Sequence, residues 1–220
     1  MGANTLLAQD SKASKIASIP YPSGANLANN PRFNTISSVK LNNGIFMPIL
    51  GFGTLKLGNQ KETQKYVEQA LEVGFRLFDT AQSYGNEEGV GRAIKSSGIR
   101  REELFITSKL FKAYATEDKA GKAYDESLKK LQIDYADLYL IHQPVNDTYG
   151  AYRAMSEQRV RAIGVSNFSD ARLMDFVQNF EITPAVNQIE CHPHFQQIQA
   201  QLFCQKLGVQ MEEWSPLKQA

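Results

Sequence analysis

The chain has 220 residues, enough for one well-buried core, and its composition is ordinary for a soluble α/β protein. Lys and Arg number 24 against 23 Asp and Glu, and the resulting net charge of +1 offers nothing in particular to nucleic acid or to an anionic membrane. Cys191 and Cys204 are too few for a disulfide scaffold, and no apolar run approaches the roughly 20 residues that span a bilayer, so a reducing, cytoplasmic compartment is expected with no membrane or nucleic-acid partner.

The opening MGANTLLAQDSKAS lacks a basic n-region and the apolar length of a secretory signal, and Leu6 stands where a myristoylation pattern needs Ser or Thr. Residues 1–37 are polar, punctuated by Pro20, Pro22, Gly24 and Pro31, and read as a disordered tail ahead of a domain over 38–220. Val39–Leu41 and Ile45–Met47 flank Asn42-Asn43-Gly44, a strong hairpin signal because Asn and Gly tolerate positive φ. Ile49–Thr54 is the next strand, and its Gly51 and Gly53 fit either a bulge or a close backbone approach to a ligand. Lys61–Val73 has helical spacing, with Tyr66, Val67, Ala70 and Leu71 expected to face inward and Gly74 after it.

The most informative stretch is Phe75–Lys109, FRLFDTAQSYGNEEGVGRAIKSSGIRREELFITSK. The apolar Leu77-Phe78 delivers Asp79, and Tyr84 follows five residues on, ahead of a helix that opens at Asn86-Glu87-Glu88, buries Val90, Ala93 and Ile94, and stops at Gly98. A second strand, Leu104–Thr107, ends in Ser108-Lys109. This is a βαβ unit with polar groups at the C-terminal strand ends, where parallel sheets bind ligands. Singly, Asp79 reads as a loop cap, Tyr84 as a surface aromatic and Lys109 as a solvated charge, although the topology lets the three meet in space.

Further on, the periodicity predicts a helix over 116–131 burying Ala120, Tyr124, Leu128 and Leu131, a strand over 136–141 ending at His142, and a short helix over 147–157. A strand over 160–165 ends at Ser166-Asn167, which alone is a turn or an N-cap. A helix over 170–180 faces Leu173, Phe176, Val177 and Phe180 inward, and a strand over 185–190, a helix over 197–207 and a strand over 209–213 follow, leading into Trp214-Ser215-Pro216-Leu217. Cys191-His192-Pro193-His194 has metal-ligand residue types, but zinc wants four donors at set spacing and the chain has three histidines and no second cluster, so no metal is expected.

DTAQSYGNEEGVGRAI, FITSKL and ADLYLIHQP together resemble the aldo-keto reductase family, most closely its short-looped bacterial members such as the diketogluconate and glyoxal reductases. The resemblance covers residues 39–217 and implies a TIM-type (β/α)8 barrel whose bottom is plugged by the N-terminal β-hairpin. It implies a catalytic tetrad of Asp79, Tyr84, Lys109 and His142, and NADPH/NADP+ as cofactor, held by Gly53, Thr54, Asp79, Ser166, Asn167, Gln188, Trp214, Ser215 and Leu217. The substrate is then a small aldehyde or ketone against Tyr84, His142 and Phe111, which stands where the family usually places a tryptophan. Tyr84 would supply the proton, with Lys109 lowering its pKa, Asp79 positioning Lys109 and His142 orienting the carbonyl oxygen. The helix over 147–157 is about one turn shorter than the family pattern, which is expected to cost stability rather than mechanism.

Counted from Ile49, the chain holds seven of the eight strands of such a barrel, and the family's Lys, Ser and Arg for the 2′-phosphate have no counterpart in it. Weakened cofactor affinity and two open sheet edges are expected. The reading is a monomeric NADPH-dependent carbonyl reductase. Its rivals are a truncated, catalytically impaired or non-enzymatic relative with a binding or assembly role, and an oligomer formed by strand exchange.

Overall fold

The computed structural model describes residues 37–218. The polar tail expected over 1–37 lies outside them but for its last residue.

Strands β1 (Ser38–Lys40) and β2 (Phe46–Pro48) pair antiparallel with Val39 opposite Met47. The turn between them needs Gly44 at φ +88, a conformation that costs glycine little. Asn42 Nδ2 donates to Pro184 O and Asn43 Nδ2 to Arg161 O, each at 3.0 Å. Both carbonyls lie at the N-terminal ends of barrel strands, so these two amides fasten the hairpin beneath the barrel. Its Leu41 and Met47 pack with Leu77, Phe105, Leu138, Leu140 and Val186. The hairpin is therefore the expected plug.

Seven strands then follow in parallel: β3 (Gly51–Gly53), β4 (Leu77–Asp79), β5 (Phe105–Leu110), β6 (Ala136–Ile141), β7 (Val160–Ser166), β8 (Val186–Glu190) and β9 (Gln210–Trp214). Their spatial order is their chain order, the result of repeated right-handed βα crossovers. Every residue of β5, β6 and β7 is buried, as strands of a parallel sheet covered on both faces are. Helices α1 (Gln60–Glu72), α2 (Glu87–Ser96), α3 (Glu117–Leu131), α4 (Thr148–Ser156), α5 (Asp170–Asn179) and α6 (Ile198–Lys206) connect them. Asn59 caps α1 through a reciprocal capping box with Glu62, and Asp147 caps α4 through Gly150 N.

The main core lies between β5–β7 and α3–α5, where Phe176 meets Tyr149, Tyr152, Phe168 and Phe180. Truncating such a ring costs about 3–5 kcal/mol. Near the barrel floor the wholly buried Asp137 receives Arg161 Nη1 at 2.5 Å, Arg101 Nη2 at 2.6 Å and the backbone N–H of Ile106 at 2.9 Å, which satisfies a charge that could not stand alone there. One inward expectation fails: Tyr66 is 43 % exposed. The stripe of α1 runs through Thr63, Val67, Ala70 and Leu71, and Tyr66 falls at its margin, where a phenol keeps its hydroxyl in water.

Strands β3 and β9 are the two edges of the seven-stranded sheet. Gly51 and Gly53 of β3 and Gln210–Trp214 of β9 line the same cleft. The sheet is therefore a nearly closed barrel with seven of the eight strands of a (β/α)8 fold.

Candidate active site

Each expected catalytic residue sits at the C-terminal end of a strand or in the loop beyond it. Asp79 closes β4, Lys109 lies one residue from the end of β5, and His142 follows β6 directly. Tyr84 ends a 3-10 turn, Gln82–Tyr84, that leaves the Asp79 loop and closes on Gly85 at φ +68.

Lys109 organises the group. Its side chain is 1 % exposed, and its ammonium donates to the Asp79 carboxylate, to Thr80 O at 3.2 Å and to Tyr84 Oη at 3.2 Å. An ammonium has three donors, and all three are engaged. Burial pushes the Lys109 pKa down, but the Asp79 carboxylate and the neighbouring Tyr84 together push it further up, so the ammonium stays charged. The Tyr84 phenol is raised above its usual value, because burial outweighs the downward pull of Lys109. This corrects the expectation of a lowered phenol. Lys109 limits the rise rather than reversing it, and Tyr84 keeps its proton at neutral pH. His142 is pushed down to about 4 by burial and then by the Lys109 charge, so its imidazole is neutral. The His142 and Tyr84 rings stand edge to face, 5.7 Å apart.

A cleft of about 1080 Å³ opens over this group, lined by Gly53, Asp79, Tyr84, His142, Ser166, Asn167, Gln188, Trp214 and Ser215 among others. Its size is that of a cofactor or ligand pocket. Of the residues expected to meet cofactor or substrate, Thr54, Phe111 and Leu217 are not on that lining. Thr54 is wholly buried, and its backbone joins the site together by receiving Asn86 Nδ2 at 2.7 Å and donating to Asp79 O at 2.9 Å. Phe111 packs edge to face on Tyr114 at 6.2 Å, and Leu217 is 93 % exposed.

The residues of the expected nicotinamide end already hold one another. Asn167, at φ +62, donates through Nδ2 to His142 O at 3.0 Å and accepts Trp214 Nε1 on Oδ1 at 3.0 Å. Ser166 Oγ donates to Gln188 O at 2.9 Å, and Gln188 Nε2 donates to Asp79 Oδ2 at 2.9 Å. These residues suit a nicotinamide: an indole and a bare glycine backbone line the cleft, no atom lies within 4 Å of where a Gly53 side chain would start, and primary amides stand beside them.

Three residues that sequence reasoning did not single out support the site. Gln82 Nε2 donates to Ala123 O at 2.7 Å while its Oε1 accepts Phe111 N at 2.8 Å, tying the Tyr84 turn to α3 and to the end of β5. Asn86 joins Thr80 Oγ1 at 3.1 Å to Thr54 O. Glu212 lies opposite Gln188 in the β8–β9 register, and burial, followed by the Asp79 charge, raises its carboxyl to about 7. Gln82 and Asn86 stood inside the quoted motif without a polarity signal of their own; Glu212 was an acid beside an expected strand tip. Among the described residues, no group of three or more His, Cys, Asp or Glu is placed to hold a metal.

A parallel barrel with this tetrad at its C-terminal strand ends belongs to the class of oxidoreductases that reduce carbonyls with a nicotinamide cofactor. Residues 49–220 match the Aldo/keto reductase family, and the chain belongs to that family. It is 46 % identical over 187 residues to glyoxal reductase of Bacillus subtilis, covering 83 % of this chain and 68 % of that protein. It is 44 % identical over 188 residues to the methylglyoxal reductase DkgA of Escherichia coli O157:H7, covering 82 % of this chain and 67 % of the relative. The chain thus spans about two thirds of the length of these curated relatives. Among solved structures it resembles an aldo/keto reductase from Brucella melitensis, with a TM-score of 0.81 and 45 % identity over 84 % of this chain and 75 % of that one. It also resembles the Bombyx mori aldo-keto reductase in complex with NADP, with a TM-score of 0.79 and 36 % identity over 82 % of this chain and 66 % of that one. NADPH-dependent carbonyl reduction is the chemistry of this family and of the site described here.

Proposed function

We propose that this chain reduces small aldehydes and ketones with NADPH, and that Tyr84 delivers the proton. The observation that carries the reading is the triple engagement of Lys109. Its ammonium donates to the Tyr84 oxygen, so the phenol's own hydrogen is left for an oxygen in the cleft. When bound, the cofactor supplies the hydride that reaches the carbonyl carbon. The Tyr84 proton goes to the carbonyl oxygen, giving the alcohol, and Lys109 stabilises the resulting phenolate until it regains a proton from solvent. Asp79 keeps Lys109 in place, and the neutral His142 orients the carbonyl.

On the same reading Gly53, Asp79, Ser166, Asn167, Gln188, Trp214 and Ser215, all on the cleft lining, hold the cofactor, with the indole of Trp214 against the nicotinamide ring and Gln188 offering its Oε1 to the carboxamide, while the buried Thr54 supports Asp79 and Asn86 through its backbone and Leu217 stands off the lining. Tyr84 and His142 form the substrate side, and Phe111 stands off the lining against Tyr114. The relatives named glyoxal and methylglyoxal reductase support small, compact aldehydes as substrates. The domain over 38–220 would act as a monomer in a reducing, cytoplasmic compartment, a placement supported by the free, buried thiols of Cys191 and Cys204.

The test is NADPH oxidation by the purified chain with methylglyoxal, compared with Tyr84→Phe. Loss of general acid catalysis is expected to lower turnover by about 10²–10⁴-fold while the melting temperature stays put. Equal turnover in the variant would overturn the assignment. No turnover in either chain would favour a binding or assembly role.

A further inference from the structure

The neutral imidazole of His142 carries one proton, and the two ring nitrogens compete for it. A substrate carbonyl oxygen can only accept, so His142 can orient it only with the proton on the nitrogen that faces the substrate. With the other tautomer, a lone pair would meet that oxygen and repel it. The hydrogen bond made by the remaining nitrogen decides between the two forms.

Ser83 Oγ stands 3.3 Å from His142 Nδ1, and both residues line the cleft. Their backbones are held independently. The turn that carries Ser83 is clamped by the two amide hydrogen bonds of Gln82, and its Tyr84 N donates to Ala81 O at 3.0 Å. His142 is held by its own N–H on Leu110 O at 3.3 Å and by Asn167 Nδ2 on its carbonyl. The serine therefore meets the ring at a set place rather than by a chance rotation of two loose loops. A hydroxyl both donates and accepts, and the role of the site chooses between these: donation to Nδ1 leaves the proton on Nε2.

Resting on the reductase reading above, we infer that Ser83 is a positioning residue for the reaction: its hydroxyl donates to His142 Nδ1 and thereby holds the imidazole in the Nε2–H tautomer that orients the carbonyl oxygen. Ser83 lines the cleft, and the role assigned to it acts through His142. The sequence shows only a serine beside the catalytic tyrosine.

The experiment is nitrogen-15 NMR of the full chain, whose three histidines make the ring signals assignable with His142→Gln as reference. The wild type is expected to show His142 protonated on Nε2 with Nδ1 accepting a hydrogen bond. In Ser83→Ala the Nδ1 signal should move toward that of an unbonded nitrogen, kcat should fall about three- to tenfold as for loss of one neutral hydrogen bond, and NADPH affinity should hold. Ser83→Thr, which keeps the hydroxyl, should restore both signal and kcat. A wild-type ring protonated on Nδ1, or a ring spectrum indifferent to Ser83→Ala, would overturn the inference. The spectrum judges the hydrogen bond without turnover, whereas Tyr84→Phe judges the reductase reading, so either can fail alone.

Discussion

Gln188 and Asp79 are 109 positions apart in the chain, yet Gln188 Nε2 donates to Asp79 Oδ2 at 2.9 Å across the barrel interior. The two belong to β8 and β4, which are not neighbours in the sheet, so the bond exists only because the strands curl round. It also leaves the other oxygen of Asp79 to Lys109. Asp79 is thus held from two sides, by an amide and by a cation.

Replacing Gln188 by Leu removes a hydrogen bond to a charged acceptor, worth about 1.5–3 kcal/mol. The urea midpoint of Gln188→Leu should fall accordingly. NADPH at a hundredfold excess over its Kd raises stability by about 2.7 kcal/mol, and this gain should shrink in the variant if Gln188 also serves the carboxamide. An unchanged midpoint together with an unchanged NADPH shift would show that the cross-barrel bond is idle.

Lys109→Met should be damaging, because it leaves the largely buried Asp79 carboxylate without its cation and with only the Gln188 amide as partner. Breaking a buried pair from one side costs about 3–5 kcal/mol. The double variant Asp79→Asn with Lys109→Met removes both charges and should recover part of that stability while remaining inactive. A double-mutant cycle by chemical denaturation checks this; strictly additive losses would mean that the two groups are not coupled.

Two site groups should impose opposite pH dependences on stability. His142 has a folded pKa of about 4 against an ordinary 6.5, so below pH 6.5 the unfolded chain binds a proton that the folded chain refuses. Its contribution is full above 6.5 and is lost as pH falls toward 4. Glu212 is raised from 4.5 to about 7, so the folded chain holds that proton longer, and its contribution is full below 4.5 and lost as pH rises through 7. In urea midpoints measured from pH 4 to 8, His142→Gln should flatten the acid limb, and Glu212→Gln should gain on the wild type as pH rises. A Glu212→Gln profile parallel to that of the wild type would refute its share.

The strands and helices were legible in the chain because their signals are local. The apolar runs of β5, β6 and β7, the 3.6-residue stripe of α2, and Asn-Gly and Gly stops such as Gly44 and Gly98 each specify backbone within a few residues. Asp79 and Lys109 could be placed at strand ends for the same reason, but singly they read as a loop cap and a solvated charge, and only the family resemblance of the surrounding words joined them with Tyr84 and His142 into a site. Their mutual arrangement was different in kind. The Lys109 contacts with Asp79 and Tyr84, the Gln188 bond to Asp79 and the Ser83 approach to His142 join residues 25 to 109 positions apart. No periodicity encodes such distances; they follow from how far the sheet curls. The electrostatics came last of all. Whether Tyr84 is raised or lowered depends on how much water burial removes against how near the ammonium lies, and both quantities are set by packing rather than by residue type.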